Sequence, residues 1–278
     1  MDGMRRFRVI NPRFDTRGRM LAMVIDPAWE EGVKENWASN QAKIRQELGV
    51  EFGQVDLDRK IERLIELDAE PFSLVAYHNT FLRECRDAYV HGSYYPALTG
   101  AGALGERILN HLVLALRDDF KASAHYKKVY DKESFDNWDF AIEILQDWEV
   151  FDDDAAAAFN DLKQRRNAAI HFNPATDHNA RALALEAILS LQHAIEAQFG
   201  IGGQRWFIPG AAHTFVRVGA EGWPFVKRVV LVSPSVALAG PLAKLEFDYG
   251  LGEFVVADMG DAGAEVGTDE EFLALAAG

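Results

Sequence analysis

The chain has 278 residues and a mass of 31.0 kDa, a size that suits one or two domains. Hydrophobic residues make up 49% and charged residues 26%, and these values exclude a wholly disordered or fibrous chain. The 43 acidic and 29 basic side chains give a formal net charge of −14. That charge opposes broad binding to duplex DNA and docking on anionic membranes, because both rely on Lys and Arg.

Cysteine usage and hydropathy bear on the compartment. Cys85 is the single cysteine, so no intramolecular disulfide and no thiolate zinc cluster can form, which fits a reducing cytoplasm. Residues 1–8 are basic but lack the apolar stretch of a signal peptide. No window approaches 18 consecutive apolar residues. We therefore expect a cytoplasmic protein with no membrane partner.

The first of three predicted segments, 1–69, is an N-terminal extension that packs on the central helices. Short strands are predicted at 8–10 and 20–25, followed by polar helices at 27–48 and 58–67. The second segment, 70–199, is sparse in glycine and has apolar residues at helical spacing. It gives helices over 71–90, 94–120, 134–148, 152–170 and from about 175 to 199. Short connections favour an antiparallel helical bundle, so the fold class is mainly α.

The third segment, 200–278, begins at a glycine-rich helix stop and has a different texture. Short runs rich in β-branched and aromatic residues occur at 206–208, 214–218, 225–232, 245–249 and 253–257, each bounded by Gly or Pro. They predict a small β-rich C-terminal module. The acidic stretch 261–271 is expected to be a solvated tail.

The most informative stretch for chemistry ends the predicted helix over 152–170. Asn167 and His171 are four residues apart, so they lie about 40° apart on one helix face. Arg166 lies on the neighbouring line. An Arg to hold phosphate, an amide to orient it, and a His to exchange a proton form a set suited to a phosphodiester. Basic residues also cap helix ends, and a His on a bundle face is often purely structural, so spacing alone leaves both interpretations open.

This stretch resembles a known family signature. The run from Arg166 to His171 is similar to the Arg-polar-x-x-x-His motif of the HEPN superfamily, and it lies at the end of one helix ahead of the final one, as in that family. Residues 89–98, running into Gly105, Glu106 and Arg107, resemble the HEPN helix that carries a small-residue face and an acidic position. The resemblance covers about 70–199; segments 1–69 and 200–278 have no such likeness.

The resemblance implies a HEPN-like bundle that pairs as a homodimer and acts as a metal-independent endoribonuclease of toxin or defence type. Arg166 would clamp the scissile phosphate and His171 would act as general acid or base, giving a 2′,3′-cyclic phosphate. Asn167 would orient either group. Weaker substrate-binding candidates are Lys163, Arg165 and Glu106, the last being either a partner of Arg166 or a structural helix–helix ion pair.

A second interpretation is a catalytically silent HEPN-like module. Its motif would bind RNA or a nucleotide phosphate, and segment 200–278 would recruit a protein partner such as an antitoxin. The acidic charge favours this alternative, the intact motif favours the nuclease, and a purely structural scaffold is a third option. His91, His111 and His125 form no zinc-helix pattern, so no metal and no cofactor are expected.

Overall fold

A computed structural model describes residues 5–10, 13–73, 76–135, 137–170, 174–200, 204–209, 215–241, 243–248, 253–257 and 268–276. It is mainly helical, with 66% helix and 8% strand, so the mainly α prediction is confirmed. Within these ranges, no helix is both long and apolar enough to cross a lipid bilayer.

The centre of the fold is a group of packed helices: α4 Ala76–Val90, α5 Tyr94–Leu116, α7 Trp138–Asp147, α8 Asp153–Ile170 and α9 Pro174–Phe199. Helix α5 contacts the other four, and α8 also packs along α9. The predicted apolar stripe of α5 is buried along its whole length: Leu98, Ala101, Leu104, Ile108, Leu112 and Leu116. Burial of this stripe is the main driving force for packing here.

The ends of these helices follow local chemistry. The side chain of Asn137 caps α7, because its Oδ1 accepts a hydrogen bond from the backbone N–H of Phe140 at 3.1 Å. Helix α5 tightens into a 3₁₀ turn at Arg117–Phe120. Helix α9 begins at Pro174, where proline suits a first turn, and it kinks at the non-helical residue Asn179.

The N-terminal region differs from prediction over residues 13–25, where a strand and a helix were not predicted. It contains strands β1 Arg6–Val9 and β2 Arg13–Asp15, then helices α1 Arg17–Ala22, α2 Glu31–Glu51 and α3 Leu57–Glu66. The strand predicted over 20–25 is wrong, since part of that stretch is the last turn of α1. The Asp15 carboxylate accepts from the Arg17 N–H at 2.9 Å and helps to start this helix.

The helix predicted over 71–90 starts late, because its first residues form strand β3, Glu70–Ser73. Strand β3 pairs antiparallel with β2, a contact nearly sixty residues away that helical spacing could not indicate. Pro71 lacks an N–H and is tolerated in this two-stranded sheet. A short helix, α6 Tyr126–Val129, was also not predicted.

The described residues of the C-terminal region contain the strands β4 Val236–Ala239, β5 Lys244–Asp248 and β6 Glu253–Ala257, and β5 pairs with β6. Strand β4 pairs antiparallel with β1, so the N-terminal and C-terminal regions share a sheet. The strand predicted over 225–232 is wrong, because Val226–Val230 form a π-helix that begins just after Pro224. Val226 and Val230 are both buried, so this helix presents an apolar edge to the core.

The prediction of a solvated tail over 261–271 is wrong for its last residues, whereas 261–267 lie outside the described residues. These last residues form the start of helix α10, Asp269–Ala276, which begins with three acidic residues as the helix dipole favours. Phe272 is fully buried and packs against Phe215, with ring centroids 4.9 Å apart. Arg6 of β1 lies over the Phe272 ring and pairs with Asp269 at 3.4 Å.

One continuous core joins the central helices to parts of both flanking segments. Phe199 at the end of α9 packs against Phe225, with ring centroids 5.9 Å apart, and Val9 of β1 is buried in the same cluster. A second, smaller core lies around Phe215 and Phe272. The boundaries at 69/70 and 199/200 stay predictions; they mark changes in secondary structure along the chain.

Burial of a histidine in this core makes the fold sensitive to acid. His78 in α4 is fully buried against Phe199, and burial lowers its pKa well below the usual 6.5. Below pH 6.5 the unfolded chain gains a proton at His78 that the folded chain cannot bind. The free energy of unfolding therefore decreases as the pH is lowered. One pH unit below 6.5, this effect costs on the order of 1 kcal/mol.

Urea denaturation at pH 7.5 and 5.5 checks this prediction. We expect the stability of the wild type to fall between the two pH values by more than that of His78→Phe, which has no proton to bind at this position. Equal losses in the two proteins would show that His78 does not couple folding to pH.

Candidate phosphate-binding site

The site is built where α5 and α8 approach closely, and two glycines allow the approach. A Cβ placed on Gly102 would lie 2.6 Å from Cγ of Arg166, and one on Gly105 would lie 2.5 Å from Cδ2 of Leu162. Neither position has room for a side chain without movement of α8 or its side chains. The small-residue face of α5 therefore lets the aliphatic part of the Arg166 side chain lie directly against α5.

Two side chains hold the guanidinium of Arg166. Its Nη2 donates to Oε2 of Glu106 at 2.7 Å, and the guanidinium lies 5.9 Å from the centre of the Trp138 ring. The Trp138 indole N–H donates to the same Glu106 oxygen at 3.3 Å. Arg166 and Glu106 are 22% and 32% exposed, so the pair is half-buried and its head remains within reach of solvent.

The guanidinium keeps hydrogen-bonding capacity for a ligand. Besides the bond to Glu106, Nη1 of Arg166 donates to Oδ1 of Asn167 at 3.2 Å. Nε is buried and has no hydrogen-bond partner among the described residues. A guanidinium has five N–H donors, so one further hydrogen on each Nη is left for an oxygen of an incoming anion.

Asn167 lies beside Arg166 on the exposed surface of α8, as the motif predicts. Its amide oxygen accepts the hydrogen bond from Arg166, so the two N–H groups of its amide remain as further donors. His171 lies outside the described residues, directly after the last residue of α8 in sequence. Its role in the site stays a prediction.

The weaker candidates in the basic run are already paired with acids. Lys163 pairs with Asp139, and Arg165 pairs with Glu186 and, at 3.5 Å, with Asp161. With the Arg166–Glu106 pair included, three cations meet four carboxylates, which leaves a local formal charge of −1. The run is not an open positive surface, so an anion here would depend on directed donors more than on net charge.

No role in the site was predicted for Trp138, the first residue of α7. It is 4% exposed, contacts both members of the Arg166–Glu106 pair, and would meet a Cβ on Gly105 at 2.6 Å. A signal was available, because a buried indole N–H usually needs an acceptor and Asn137 marks the helix start beside it. The sequence could not indicate which carboxylate supplies that acceptor.

The described residues also include a free cysteine and a cluster of possible metal ligands. Cys85 lies in α4, as predicted, and burial raises its pKa to about 12, so the thiol is not a nucleophile at neutral pH. His125, Glu143 and Asp147 place ligand atoms within 4.8 Å of one another, and the His125 Nε2 lies 2.5 Å from Asp147. This trio lies on and beside α7, apart from Arg166, and two of its members are exposed carboxylates.

The fold and the site were compared with known proteins. The chain matches no protein-family model, no curated protein and no solved structure. Function therefore has to be inferred from the residues of the site and from the motif.

Proposed function

We propose that the chain is a HEPN-like helical bundle that cleaves RNA without a metal ion. The observation that carries this proposal is the position of the Arg166 guanidinium, which is held between Glu106 and Trp138 near the end of α8. One N–H on each Nη remains for a ligand. An arginine oriented in this way suits the charge that builds on a phosphate in a transition state. Arg166 occupies the first position of the predicted motif, Asn167 lies beside it, and His171 follows Asn167 by four residues in the sequence.

The proposed reaction uses the 2′-hydroxyl of the substrate as the nucleophile. His171 takes the proton of that hydroxyl or supplies one to the leaving 5′-oxygen. The bond from O2′ to phosphorus forms as the bond to O5′ breaks, which gives a 2′,3′-cyclic phosphate and a 5′-hydroxyl. Arg166 holds the non-bridging oxygens throughout, and Asn167 keeps the guanidinium or the phosphate in register.

We propose further that two copies pair so that their motifs face each other in one cleft. A second copy would let one histidine act as base while the other acts as acid. Sedimentation velocity should then give a species of twice 31.0 kDa. If the protein cleaves RNA as a monomer, the shared cleft is contradicted, whereas the proposed phosphate-binding role of Arg166 is not.

A specific observation favours the silent-module alternative. The cations of the basic run are all matched by carboxylates, and the whole chain carries a charge of −14. Weak electrostatic attraction suits a protein that binds a single phosphate or a protein partner more than one that grips long RNA. The experiment below separates the two functions.

The test uses matched single-stranded RNA and DNA of the same sequence, incubated with the protein in excess EDTA. We expect the RNA to be cut to products with 2′,3′-cyclic phosphate ends and the DNA to stay intact, because DNA lacks the attacking hydroxyl. Replacing one ribose by deoxyribose should protect only the bond on its 3′ side. Binding of RNA without any cleavage would favour the silent module, and DNA cleavage would contradict the reaction.

A further inference from the structure

A pocket lies where the end of α7 meets the C-terminal region. Its cavity of about 230 Å³ is bounded on one side by the central helices and on the other by residues after 200. The walls are mostly aromatic rings, contributed by both regions: Phe120, Trp148, Trp206, Trp223 and Phe225. Three of the six tryptophans of the chain therefore line one cavity.

Most of these rings are fixed by packing. Phe120 and Trp148 are stacked with centroids 4.7 Å apart and planes at 4°, and Trp206 lies 4.9 Å from Phe225. Trp148 and Trp206 are each 4% exposed, and their indole N–H groups have no hydrogen-bond partner in the part of the chain described. Buried donors of this kind are usually satisfied. Trp223 is 37% exposed and forms the open wall.

Two opposite charges line the same cavity. Glu149 and Arg205 are both exposed, and neither forms an ion pair with any described residue. The guanidinium of Arg205 lies 5.6 Å from the centre of the Trp223 ring. Glu149 has a φ of 54°, the left-handed conformation in which a helix end normally carries glycine. A carboxylate therefore stands at the cavity in a backbone conformation that disfavours any side chain.

We propose that this pocket binds a purine base, with guanine preferred. A flat ring suits a wall of indole rings, since base–aromatic stacking is sequence-tolerant and strong. Guanine carries N–H donors on one edge for a carboxylate and the acceptors O6 and N7 on another for an arginine. Glu149 and Arg205 supply that complementary pair, whereas a pyrimidine offers less stacking area.

A methylated or quaternary ammonium group is the other ligand that aromatic cages bind. Arg205 opposes it, because its guanidinium, 5.6 Å from the centre of the Trp223 ring, places a positive charge at the cavity that would repel a second cation. The pocket is also distinct from the Arg166 site. Trp138 and Trp148 are ten residues apart at the two ends of α7, which corresponds to about 15 Å along the helix. The base could belong to a free nucleotide or to single-stranded RNA.

Isothermal titration calorimetry on the full chain tests this inference without any cleavage, so its failure would leave the proposed nuclease function untouched. We expect GMP to bind most tightly, AMP more weakly, and CMP and UMP at least tenfold more weakly than GMP. Ribose 5-phosphate should not bind. Equal affinity for ribose 5-phosphate, or competition by tetramethylammonium, would overturn the assignment of a base.

Two variants locate the binding and separate it from folding. Trp223→Ala should weaken GMP binding by about 5- to 150-fold, the range for loss of one stacking ring. Glu149→Gly should also weaken binding, yet raise the melting temperature because glycine relieves the left-handed conformation. The matched control is Trp29→Ala. Trp29 lies just before the first residue of α2 and packs on Trp37, with ring centroids 6.0 Å apart. Unchanged GMP affinity in both pocket variants would overturn the proposal.

The source of the base is read from a third titration. A short single-stranded RNA with one guanine, fully 2′-O-methylated so that it cannot be cut, is compared with GMP. Tighter binding of the RNA supports a site for an RNA base, and equal binding supports a site for a free nucleotide. Absence of binding by both ligands would remove the pocket from either role.

Discussion

Replacing Arg166 by alanine is expected to lower kcat/KM for RNA cleavage by about 10²- to 10³-fold, the usual loss when one directed donor to a developing negative charge is removed. The folded state should change little, because Arg166 and Glu106 are only half-buried and Glu106 keeps the Trp138 donor. Cleavage is measured on a single-stranded RNA in EDTA, with the melting temperature recorded for each protein.

A matched control exists on α9. Arg181 pairs with Glu66 at 2.7 Å, the same distance as Arg166 and Glu106, and it lies outside the motif. Arg181→Ala should therefore keep wild-type cleavage. If both substitutions lower cleavage equally, the loss is a general effect of arginine removal and the special position of Arg166 is disproved.

Replacing Gly105 by leucine is expected to lower the free energy of unfolding by about 3 kcal/mol, at the upper end of overpacking effects. A Cβ at this position would already lie 2.5 Å from Leu162 and 2.6 Å from Trp138, both of them buried. The extra atoms of leucine would push α5 from α8. Denaturation in urea measures the change.

The control for this substitution is Gly32→Leu in α2, where a Cβ meets no atom within 4 Å. It should leave the stability unchanged or slightly raised, since leucine favours helix over glycine. A similar loss at both glycines would mean that the α5–α8 contact is not as tight as described.

Helix α5 could be predicted from sequence because its apolar stripe from Leu98 to Leu116 runs for about five turns without interruption. Short apolar runs were ambiguous, and tertiary contacts decided them. Gly18 lets α1 pack closely on the backbone carbonyl of Leu64 in α3, a tertiary contact that the apolar run over 20–25 could not indicate. Pro224 starts the helical turn at Val226–Val230, a signal outweighed in the sequence by the β-branched residues that follow.

The candidate site was predictable only along α8. Arg166 and Asn167 are consecutive residues on neighbouring lines of α8, so their proximity follows from the sequence alone. The acidic partner of Arg166 lies sixty residues earlier on another helix, and sequence alone left Glu106 between two roles. The pairing of Arg165 with Asp161 follows the i, i+4 rule, whereas the pairing of Lys163 with Asp139 depends on how α7 crosses α8.

The most direct measurement of the central claim is the cleavage of single-stranded RNA in EDTA by the wild type and by His171→Ala. Metal-free cleavage at the Arg166–His171 motif predicts 2′,3′-cyclic products from the wild type and none from the variant, with closely similar melting temperatures. Equal cleavage by the two proteins, or none by the wild type across RNAs of varied sequence, would contradict the claim.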